Sequence, residues 1–542
     1  MQALHWGFNG GALTGGALRT SLRRAGYVLI APVLAAVLGA SASGPPAFGG
    51  NSWPAAGNDI GNTRDAAAEH IIGPGNVSRL APAWSMTTAG DVKLTPTVDN
   101  GVVYFPDQTD KLWAVSAGSG RVLWSRTISS YTGLPNDESR VSPAVYGNEL
   151  VLGDSDYGDY NGAWVFAVDK NTGSLLWRTR VDDHLAAIIT GAPVVYQGVA
   201  YLGVSSYEEG MPIIQPGYKC CTFRGSVVAL DASTGRLLWK TRTVPAGYAG
   251  GAVWGSTPAI NSRDGLLYVA TGNNYSAPAG VCTQPAQTGC TQPAADDHAD
   301  SIISLDMRTG AIRWYMATLS NDVYTEACTI IGVDCGPDFD FGSGPNLIQL
   351  PSGRQLVGVG QKSGVYWALD ARTGALVWHT QVGPGSASGG IQWGSATDGS
   401  HVYVAIANLY GQTYQIRSAS GQVTTTTGGS WAELDAATGR ILWQAADPQQ
   451  AVDTGYVTIA NGVMYAGSTA DSGTDMYALD ANDGRILWSF ASGDPLTSGP
   501  AVVDGTVYWG SGSDLATGCP NGALPTKVCG HGQGGAVYAF RI

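Results

Sequence analysis

One short pattern recurs along this chain and limits what it can fold into. In its clearest form, Leu230–Trp239, an apolar strand leads into a turn with Asp231 and Gly235, and the next strand ends in a tryptophan. The Asp side chain can bond local backbone, and glycine tolerates the positive φ that such turns need. Turn and tryptophan occur together seven times, ending at Trp124, Trp177, Trp239, Trp314, Trp378, Trp443 and Trp488.

Two incomplete copies of the pattern complement one another at the ends of the chain. Trp84 has no such turn before it, and the last residues, 536–542, form a strand with no turn or tryptophan after it. Each full repeat holds four candidate strands, at 95–98, 102–105, 112–115 and 121–124 in the first. Four antiparallel strands repeated eight times predict an all-β, eight-bladed β-propeller, its ring closed by the N- and C-terminal strands. An open β-solenoid does not explain the split repeat.

The N-terminal segment resembles an export signal. Arg19, Arg23 and Arg24 supply its positive charge, residues 25–40 an apolar run, and residues 40–42 a cleavage site of small residues. A membrane anchor is the alternative, but the run is short for a span of about 20 residues. We predict a signal at 1–42, a linker at 43–52, one propeller domain at 53–542, no stable membrane insertion, and a periplasmic or secreted location.

The net charge and the cysteine content limit which binding partners and covalent groups are expected. The net charge of −13 becomes −16 once the three arginines of the signal are removed, which disfavours nucleic acid. Eight cysteines in an exported chain suggest disulfides, and no Cys-x-x-Cys-His motif is present to attach a c-type haem. Spacing suggests the pairs Cys282–Cys290, Cys328–Cys335 and Cys519–Cys529, leaving the adjacent Cys220 and Cys221 bridged to each other or cross-paired.

The alternation of strand direction sorts the loops onto two faces. The Asp-Thr-Gly and Asn-Gly turns share one face, while the loops between second and third strands and those between blades share the other. Long insertions at 205–224, 272–300 and 317–344 all fall on this second face. Long loops gathered on one face of a rigid scaffold are where a binding or catalytic site is expected.

The same face carries a set of polar residues: Glu208, Glu209, Asn273, Asp338, Asp340, Lys362 and Arg140, with Trp254. Carboxylates and an amide oxygen, without Cys or His, are ligands that suit Ca²⁺ or a similar hard cation. A Lys and an Arg nearby suit an anionic cofactor, and an Asp beside a metal can act as a general base. Singly, an acidic loop is usually just solvated and an Asn after Gly is usually a turn, so the hypothesis depends on their convergence.

These segments resemble the quinoprotein alcohol dehydrogenase family, eight-bladed propellers that use pyrroloquinoline quinone (PQQ), over residues 50–542. Residues 205–210 resemble the family's glutamate loop, which implies Glu208, with Glu209 as the alternate, as a metal ligand. The resemblance further implies Asn273 as a metal ligand and Asp338 as the catalytic Asp, which also touches the metal. It assigns Asp340 to the extra carboxylate of lanthanide-using members, Lys362 to the cation facing the quinone oxygens, Trp254 to the ring beneath the cofactor, and Arg140 and Thr190 to its carboxylates.

Within the family, the sequence is most similar to polyvinyl alcohol dehydrogenase and its relatives, through residues 204–209, 220–231 and 297–301. Methanol-type members place a vicinal disulfide before the position of Arg140, where this chain has Leu134 and Pro135. Cys220 and Cys221 form the only adjacent pair, and their contact with the cofactor is left open. The haem domain of some members has no counterpart, so electrons are expected to pass to a separate acceptor, such as cytochrome c or a quinone.

The resemblance therefore implies a PQQ-dependent dehydrogenase that oxidises an alcohol with the help of Ca²⁺ or a lanthanide. The sequence names neither the alcohol nor the metal. A non-catalytic propeller that serves as a scaffold in the cell envelope is the alternative, because its repeats are the same. For a hydrolase or a lyase, no nucleophile–base pair is found.

Overall fold

The computed structural model describes residues 52–155, 161–215, 217–319, 321–328, 335–470, 472–513 and 534–542. The predicted signal at 1–42, nearly all of the predicted linker, and the predicted pair Cys519–Cys529 lie outside the described residues, so they stay predictions. Within the described residues, no helix is both long enough and apolar enough to cross a membrane.

The described chain is almost entirely β-structure and forms eight four-stranded antiparallel sheets, named blades 1 to 8. The strands of blade 1 are Thr97–Asp99, Val102–Asp107, Lys111–Ser116 and Val122–Thr127, and those of blade 2 are Ala144–Tyr146, Glu149–Gly153, Ala163–Asp169 and Leu175–Asp182. The strands of blade 3 are Val194–Tyr196, Val199–Ser206, Ser226–Asp231 and Leu237–Arg242, and those of blade 4 are Ala259–Asn261, Leu266–Ala270, Ser301–Asp306 and Ile312–Ala317.

The second half of the chain repeats the same order. Blade 5 contains Asn346–Gln349, Gln355–Gly360, Val365–Asp370 and Leu376–Gln381, and blade 6 contains Ala396–Thr397, His401–Ile406, Ser430–Asp435 and Ile441–Ala446. Blade 7 contains Thr458–Ala460, Val463–Gly467, Met476–Asp480 and Ile486–Phe490, and blade 8 contains Ala501–Val503, Thr506–Gly510, Ala536–Arg541 and, from the N-terminus, Ala81–Thr87.

Short accessory elements complete the described chain. Ser52–Trp53 adds to blade 1, Ala187–Ile188 pairs with the end of the second strand of blade 3, Ala249–Gly250 pairs with Asn274–Ser276, and Tyr414–Arg417 pairs with Val423–Thr426. The helices are short: Ser129–Thr132, Met211–Ile214 and the 3₁₀ turn Val77–Arg79.

Blade 8 confirms the prediction of a split repeat. Ala81–Thr87 pairs antiparallel with the C-terminal strand Ala536–Arg541, and Trp84 lies opposite Ala539. The two ends of the propeller thus share one sheet, and the ring closes by backbone hydrogen bonds.

The eight tryptophans of the sequence pattern join neighbouring blades. Each indole Nε1 donates a hydrogen bond of 2.6 to 3.3 Å to a backbone carbonyl of the next blade. The pairs are Trp84–Ala117, Trp124–Lys170, Trp177–Ala232, Trp239–Met307, Trp314–Ala371, Trp378–Ala436, Trp443–Ala481 and Trp488–Leu80. In blade 8, which lacks the turn, Leu80 takes its place. We name each such contact a tryptophan clasp.

The turn requires glycine for two separate reasons, as Gly310 shows. Gly310 has a φ of 71°, in the left-handed region, and a Cβ there would lie 2.6 Å from Cε3 of Trp239 in the preceding blade. The turn therefore requires glycine both for its backbone conformation and for the space that the ring occupies.

An N-terminal segment that no sequence pattern indicated connects the inner strands. Between residues 54 and 64, carbonyl oxygens accept hydrogen bonds from the first strands, or the residues beside them, of five blades. The pairs are Val145 N–Pro54 O, Ile260 N–Ile60 O, Leu347 N–Gly61 O, Thr397 N–Thr63 O and Ile459 N–Arg64 O. The buried Arg64 side chain adds bonds to Val457 O and Ala56 O. The first strands of blades 2, 4, 5, 6 and 7 are thereby all hydrogen-bonded to this one segment, residues 54–64.

The tryptophan clasp can be tested within a single blade. Gly265 and Gly310 both lie in blade 4 with φ near 70°, but a Cβ at Gly265 meets no atom within 4 Å. Gly265→Ala is expected to cost about 1 to 2 kcal/mol for backbone strain alone. Gly310→Ala is expected to cost about 1 to 3 kcal/mol more, because its methyl group displaces Trp239. Thermal and denaturant unfolding measure both, and equal losses would show that the clasp adds nothing.

Candidate functional site

A cavity of about 200 Å³ opens among the loops on the face that the strand directions predicted. Arg140, Thr190, Glu209, Trp254, Asn273, Asp340 and Lys362 are among the residues that line it. These residues come from the loops of blades 2 to 5, which are far apart in the sequence. The structure thus brings together most of the predicted site residues.

Lys362 is one of two cationic residues among the described residues that line the cavity, and it is buried. Its Nζ lies 2.9 and 3.0 Å from the two carboxylate oxygens of Asp338 and 2.8 Å from Oδ1 of Asp340. The other oxygen of Asp340 accepts a 2.7 Å hydrogen bond from Nε1 of Trp254. The Lys362 ammonium also lies 5.1 Å from the centre of the Trp254 ring, a cation–π contact.

The segment that carries Asp338 is held in an unusual conformation by another acid. Asp338 has a φ of 58°, and its own N–H donates 3.1 Å to Oδ1 of Asp322, while the N–H of Phe339 donates 2.8 Å to Oδ2. The backbone N–H of Lys362 donates 3.0 Å to the carbonyl of Asp340. These bonds fix where the Asp338 and Lys362 side chains begin, so both can meet without solvent between them.

Burial and the surrounding carboxylates shift the protonation of this pair. Burial lowers the pKa of Lys362, but Asp338, Asp340 and Glu209 outweigh it and hold the pKa well above its ordinary value. Burial raises the pKa of Asp338 well above its ordinary value, although the Lys362 ammonium opposes the shift. Lys362 therefore stays charged at neutral pH, and Asp338 is a much stronger base than an exposed Asp.

Further acids crowd the same region. Burial raises the pKa of Glu209 to about 8 and that of Asp322 to about 6. Burial also raises the pKa of Glu326, and it raises that of Asp300 well above its ordinary value. One ammonium does not balance this many carboxyl groups, so the site favours an added cation. Among the described residues, however, no three of the types His, Cys, Asp and Glu already stand close enough together to hold a metal.

Glu208 and Glu209 point to different places. Glu209 lines the cavity. Glu208 is fully buried, and its carboxylate accepts hydrogen bonds from the N–H groups of Thr222 and Phe223 and from the Tyr218 hydroxyl, all between 2.7 and 2.9 Å. The placement favours Glu209 over Glu208 as a ligand. A sequence in which the two acids are adjacent cannot make that choice.

Asn273 is one of the residues that line the cavity. Its Nδ2 donates to the carbonyls of Asn274 and Tyr324, each at 3.0 Å, and the residue is 1% exposed while lining the cavity. Its Oδ1 accepts no hydrogen bond from the described residues, so it is available to a cation.

Two aromatic rings in edge-to-face contact connect the two cations of the cavity. Trp254 meets Trp393 edge-on, with ring centres 5.4 Å apart, and the guanidinium of Arg140 lies 4.7 Å from the Trp393 ring centre. Thr190 donates its hydroxyl hydrogen to the Trp254 carbonyl at 2.6 Å. Arg140 and Lys362 are therefore held at opposite ends of one aromatic row.

The adjacent cysteines are bridged to each other, and Cys282–Cys290 and Cys328–Cys335 pair as predicted. Cys220 and Cys221 are not among the residues that line the cavity. They belong to the loop that Glu208 holds on both sides, through Tyr218 and Thr222. The structure thus places them beside the site, not in it.

The sequence patterns missed four residues of the site. Asp322 and Glu326 lie within the long insertion at 317–344, but no spacing marked them. Trp393 joins the aromatic row, and Tyr275 lines the cavity. The one available signal was the length of the insertion, because contacts across blades leave no local pattern.

Comparison with known proteins agrees with the fold. The profile of the family described as "Outer membrane protein assembly factor BamB" matches residues 81–218 and 361–520, more than half of the chain. The profile described as "Glucose/ethanol/alcohol dehydrogenase, beta-propeller domain" matches residues 245–392, which include Trp254, Asn273, Asp338 and Lys362. The chain belongs to the PQQ-type β-propeller family of the first profile, which covers more than half of it, and it shares with the second profile the segment that carries these four residues.

Two curated proteins and one solved structure show how similar the chain is to individual relatives. The chain is 31% identical to a polyvinylalcohol dehydrogenase of Sphingopyxis sp. (strain 113P3), over 68% of this chain and 55% of the relative. It is 32% identical to a polyvinylalcohol dehydrogenase of Pseudomonas sp., over 62% of this chain and 52% of the relative. The chain thus spans about half the length of the curated relatives it matches. A solved europium-containing methanol dehydrogenase shares the fold, with a TM-score of 0.67, 18% identity, and coverage of 91% of this chain and 98% of that one.

The different positions of the two glutamates predict different effects of the same change. Glu208→Gln puts an amide group against the N–H donors of Thr222 and Phe223, and we expect a loss of about 3 kcal/mol, or about 3 °C for a domain of this size. Glu209→Gln keeps the shape and removes a carboxyl group with no such donors, so we expect no loss in metal-free protein. Melting curves in the presence of a chelator measure both, and a larger loss for Glu209→Gln would reverse the assignment.

Proposed function

We propose that this protein is a PQQ-dependent dehydrogenase that oxidises an alcohol to a carbonyl compound. The supporting observation is the buried Lys362 ammonium, set between Asp338 and Asp340 and against the Trp254 ring. A buried cation beside a strongly basic carboxylate, at the end of a cavity, is the arrangement needed to take a proton and stabilise negative charge.

The lining of the cavity fits the chemistry of PQQ, a flat molecule with three carboxylates. Trp254 offers a flat ring, and Arg140 and Lys362 offer positive charge at the two ends of the aromatic row. Thr190 adds a hydroxyl oxygen on the same wall. The ring suits a planar group, and the two cations suit its carboxylate and quinone oxygens.

The donor atoms also fit a hard cation. Glu209, Asn273, Asp338 and Asp340 contribute only oxygen, and the surplus of buried acids favours a di- or trivalent ion. We propose Ca²⁺ or a lanthanide, with Asp340 as the additional carboxylate that a trivalent ion would need. This assignment replaces Glu208 by Glu209, because the Glu208 carboxylate is already saturated with hydrogen-bond donors.

When bound, PQQ supplies an electrophilic quinone that accepts the hydride of the alcohol carbon. The chain provides the rest. Asp338 accepts the proton of the alcohol hydroxyl, for which its raised pKa suits it. Lys362 keeps its charge beside the reacting oxygens and stabilises the negative charge that develops there. Asp322 holds the backbone at Asp338 and Phe339, so the base does not move as it changes charge.

The relatives suggest the substrate class. We propose a secondary alcohol or a polymer of the polyvinyl alcohol type, since two relatives above 30% identity are named polyvinylalcohol dehydrogenases. Electrons would pass to an external acceptor, cytochrome c or a quinone, and the enzyme would work in the periplasm or outside the cell.

Removal of the proposed base should abolish turnover and leave the fold intact. We expect Asp338→Asn to lower PQQ-dependent dye reduction at least about 100-fold, because the amide cannot accept the proton. Asp231→Asn makes the same chemical change in a turn on the opposite face and should leave turnover unchanged. The melting temperature of both variants checks the fold. Turnover like that of the wild type in Asp338→Asn would remove Asp338 from the mechanism.

The scaffold alternative has its own support in the BamB-type match over more than half of the chain. Reconstitution separates the two. For an enzyme, PQQ with Ca²⁺ or a lanthanide should change the absorption spectrum and raise the melting temperature, by about 3 °C at one hundred times the dissociation constant. An unchanged spectrum and melting temperature would favour the scaffold.

A further inference from the structure

A second group of buried oxygen atoms lies away from the cavity, where blade 6 meets blade 7. Asp447 follows the outer strand of blade 6, Asp453 and Thr454 precede the first strand of blade 7, and Ser468 follows its second strand. All four residues are at most 2% exposed. No part of the proposed mechanism uses them.

Five oxygen atoms of this group have no properly formed hydrogen bond within the described chain. They are Oδ2 of Asp447, both carboxylate oxygens of Asp453, the Thr454 hydroxyl and the Ser468 hydroxyl. Asp453 nevertheless lies within hydrogen-bond reach of both Asp447 and Ser468. Oδ1 of Asp447 is already used, because it accepts a 2.5 Å hydrogen bond from the N–H of Gln449. Oxygen atoms that are buried together without donors are costly, since each has lost its contact with water.

The Asp453 carboxyl group has no positive partner within the described part of the chain. No described Lys, Arg or His is among the groups that act on Asp453. Burial, and next the Asp447 carboxylate, raise the pKa of Asp453 well above its ordinary value. The repulsion between the two groups is therefore relieved either by a shared proton, which leaves one negative charge, or by a bound divalent cation, which balances both carboxylates.

The position of Asp453 is occupied by a buried apolar residue in several other blades, and by the uncharged Ser139 in blade 2. Asp453 stands five residues before the first strand of blade 7, which begins at Thr458. At the same distance before their first strands, blades 1, 3, 6 and 8 carry Val92, Ile189, Ile391 and Leu496, all buried. An apolar side chain would fill this place without the cost of burying a charge, so the acid calls for a partner.

We propose that Asp447, Asp453, Thr454 and Ser468 bind a Ca²⁺ ion that joins blades 6 and 7. Two carboxylates balance the charge of a divalent ion, and the two hydroxyls supply further oxygen. An irregular set made only of oxygen suits Ca²⁺ better than Mg²⁺, which demands near-ideal octahedral geometry, or Zn²⁺, which prefers nitrogen and sulfur. The ion would cross-link two blades through residues that are not among those lining the cavity.

The test compares two isosteric variants in the full chain without PQQ. Asp453→Asn removes a ligand charge, whereas Asp475→Asn changes another buried acid of blade 7 whose oxygens already accept hydrogen bonds from Ser492. Bound Ca²⁺ is counted by elemental analysis after gel filtration, and melting temperatures are recorded with Ca²⁺ and with a chelator. Asn273→Ala, made in the proposed catalytic cation site, is measured in the same way.

We expect Asp453→Asn to bind one Ca²⁺ fewer per chain than the wild type. Its melting temperature should rise about 3 °C less when Ca²⁺ is added at one hundred times the dissociation constant. Asp475→Asn and Asn273→Ala should keep this ion, and the result for Asn273→Ala separates it from the catalytic metal. Equal Ca²⁺ content in Asp453→Asn and the wild type would overturn the proposal. So would an Asp453→Asn protein that is more stable than the wild type even with Ca²⁺ present, since that indicates a shared proton.

Discussion

Every blade of this propeller is fastened to the next by one tryptophan. In seven of the eight contacts, the repeated turn supplies both the carbonyl that accepts the indole hydrogen bond and a glycine against the ring. Because the clasp acts between neighbours, a ring of eight requires eight clasps, including the two at blade 8, where the turn is missing. Leu80 and Trp84 provide them from the N-terminus. Closure of the ring thus uses the same interaction as its interior.

A frame of this kind lets the loops on one face diverge without loss of the fold. The clasps lie on the turn face, and the N-terminal segment from Pro54 to Arg64 ties the inner strands of five blades together. Loops on the other face are then free to carry acids, disulfides and aromatic side chains. Site residues from blades 2 to 6 meet because the strands beneath them are already fixed.

The chemistry of the site depends on an imbalance of charge that the frame holds in place. One ammonium, that of Lys362, is buried among several carboxyl groups whose pKa values are raised by the same burial. If these residues were exposed, water and salt would screen the interactions between their charges. Here the excess negative charge favours a cation, and the charged Lys362 favours anionic oxygen close by. This imbalance is the basis of our proposal that a metal and a quinone bind side by side.

Much of the fold and part of the site could be predicted from the sequence, and the limit of that prediction has a physical cause. The spacing of the tryptophans determined the number of blades, the split blade 8 and, through strand direction, the face on which Asn273, Asp338 and Lys362 meet. These features depend on local turns and on the period of two along a strand, which a sequence shows directly. The choice between Glu208 and Glu209 did not follow, nor did the support that Asp322 gives to Asp338. Only the tertiary structure decided these, together with the segment at 54–64 and the buried pair Asp447 and Asp453, because they depend on donors, charges and burial contributed by distant parts of the chain.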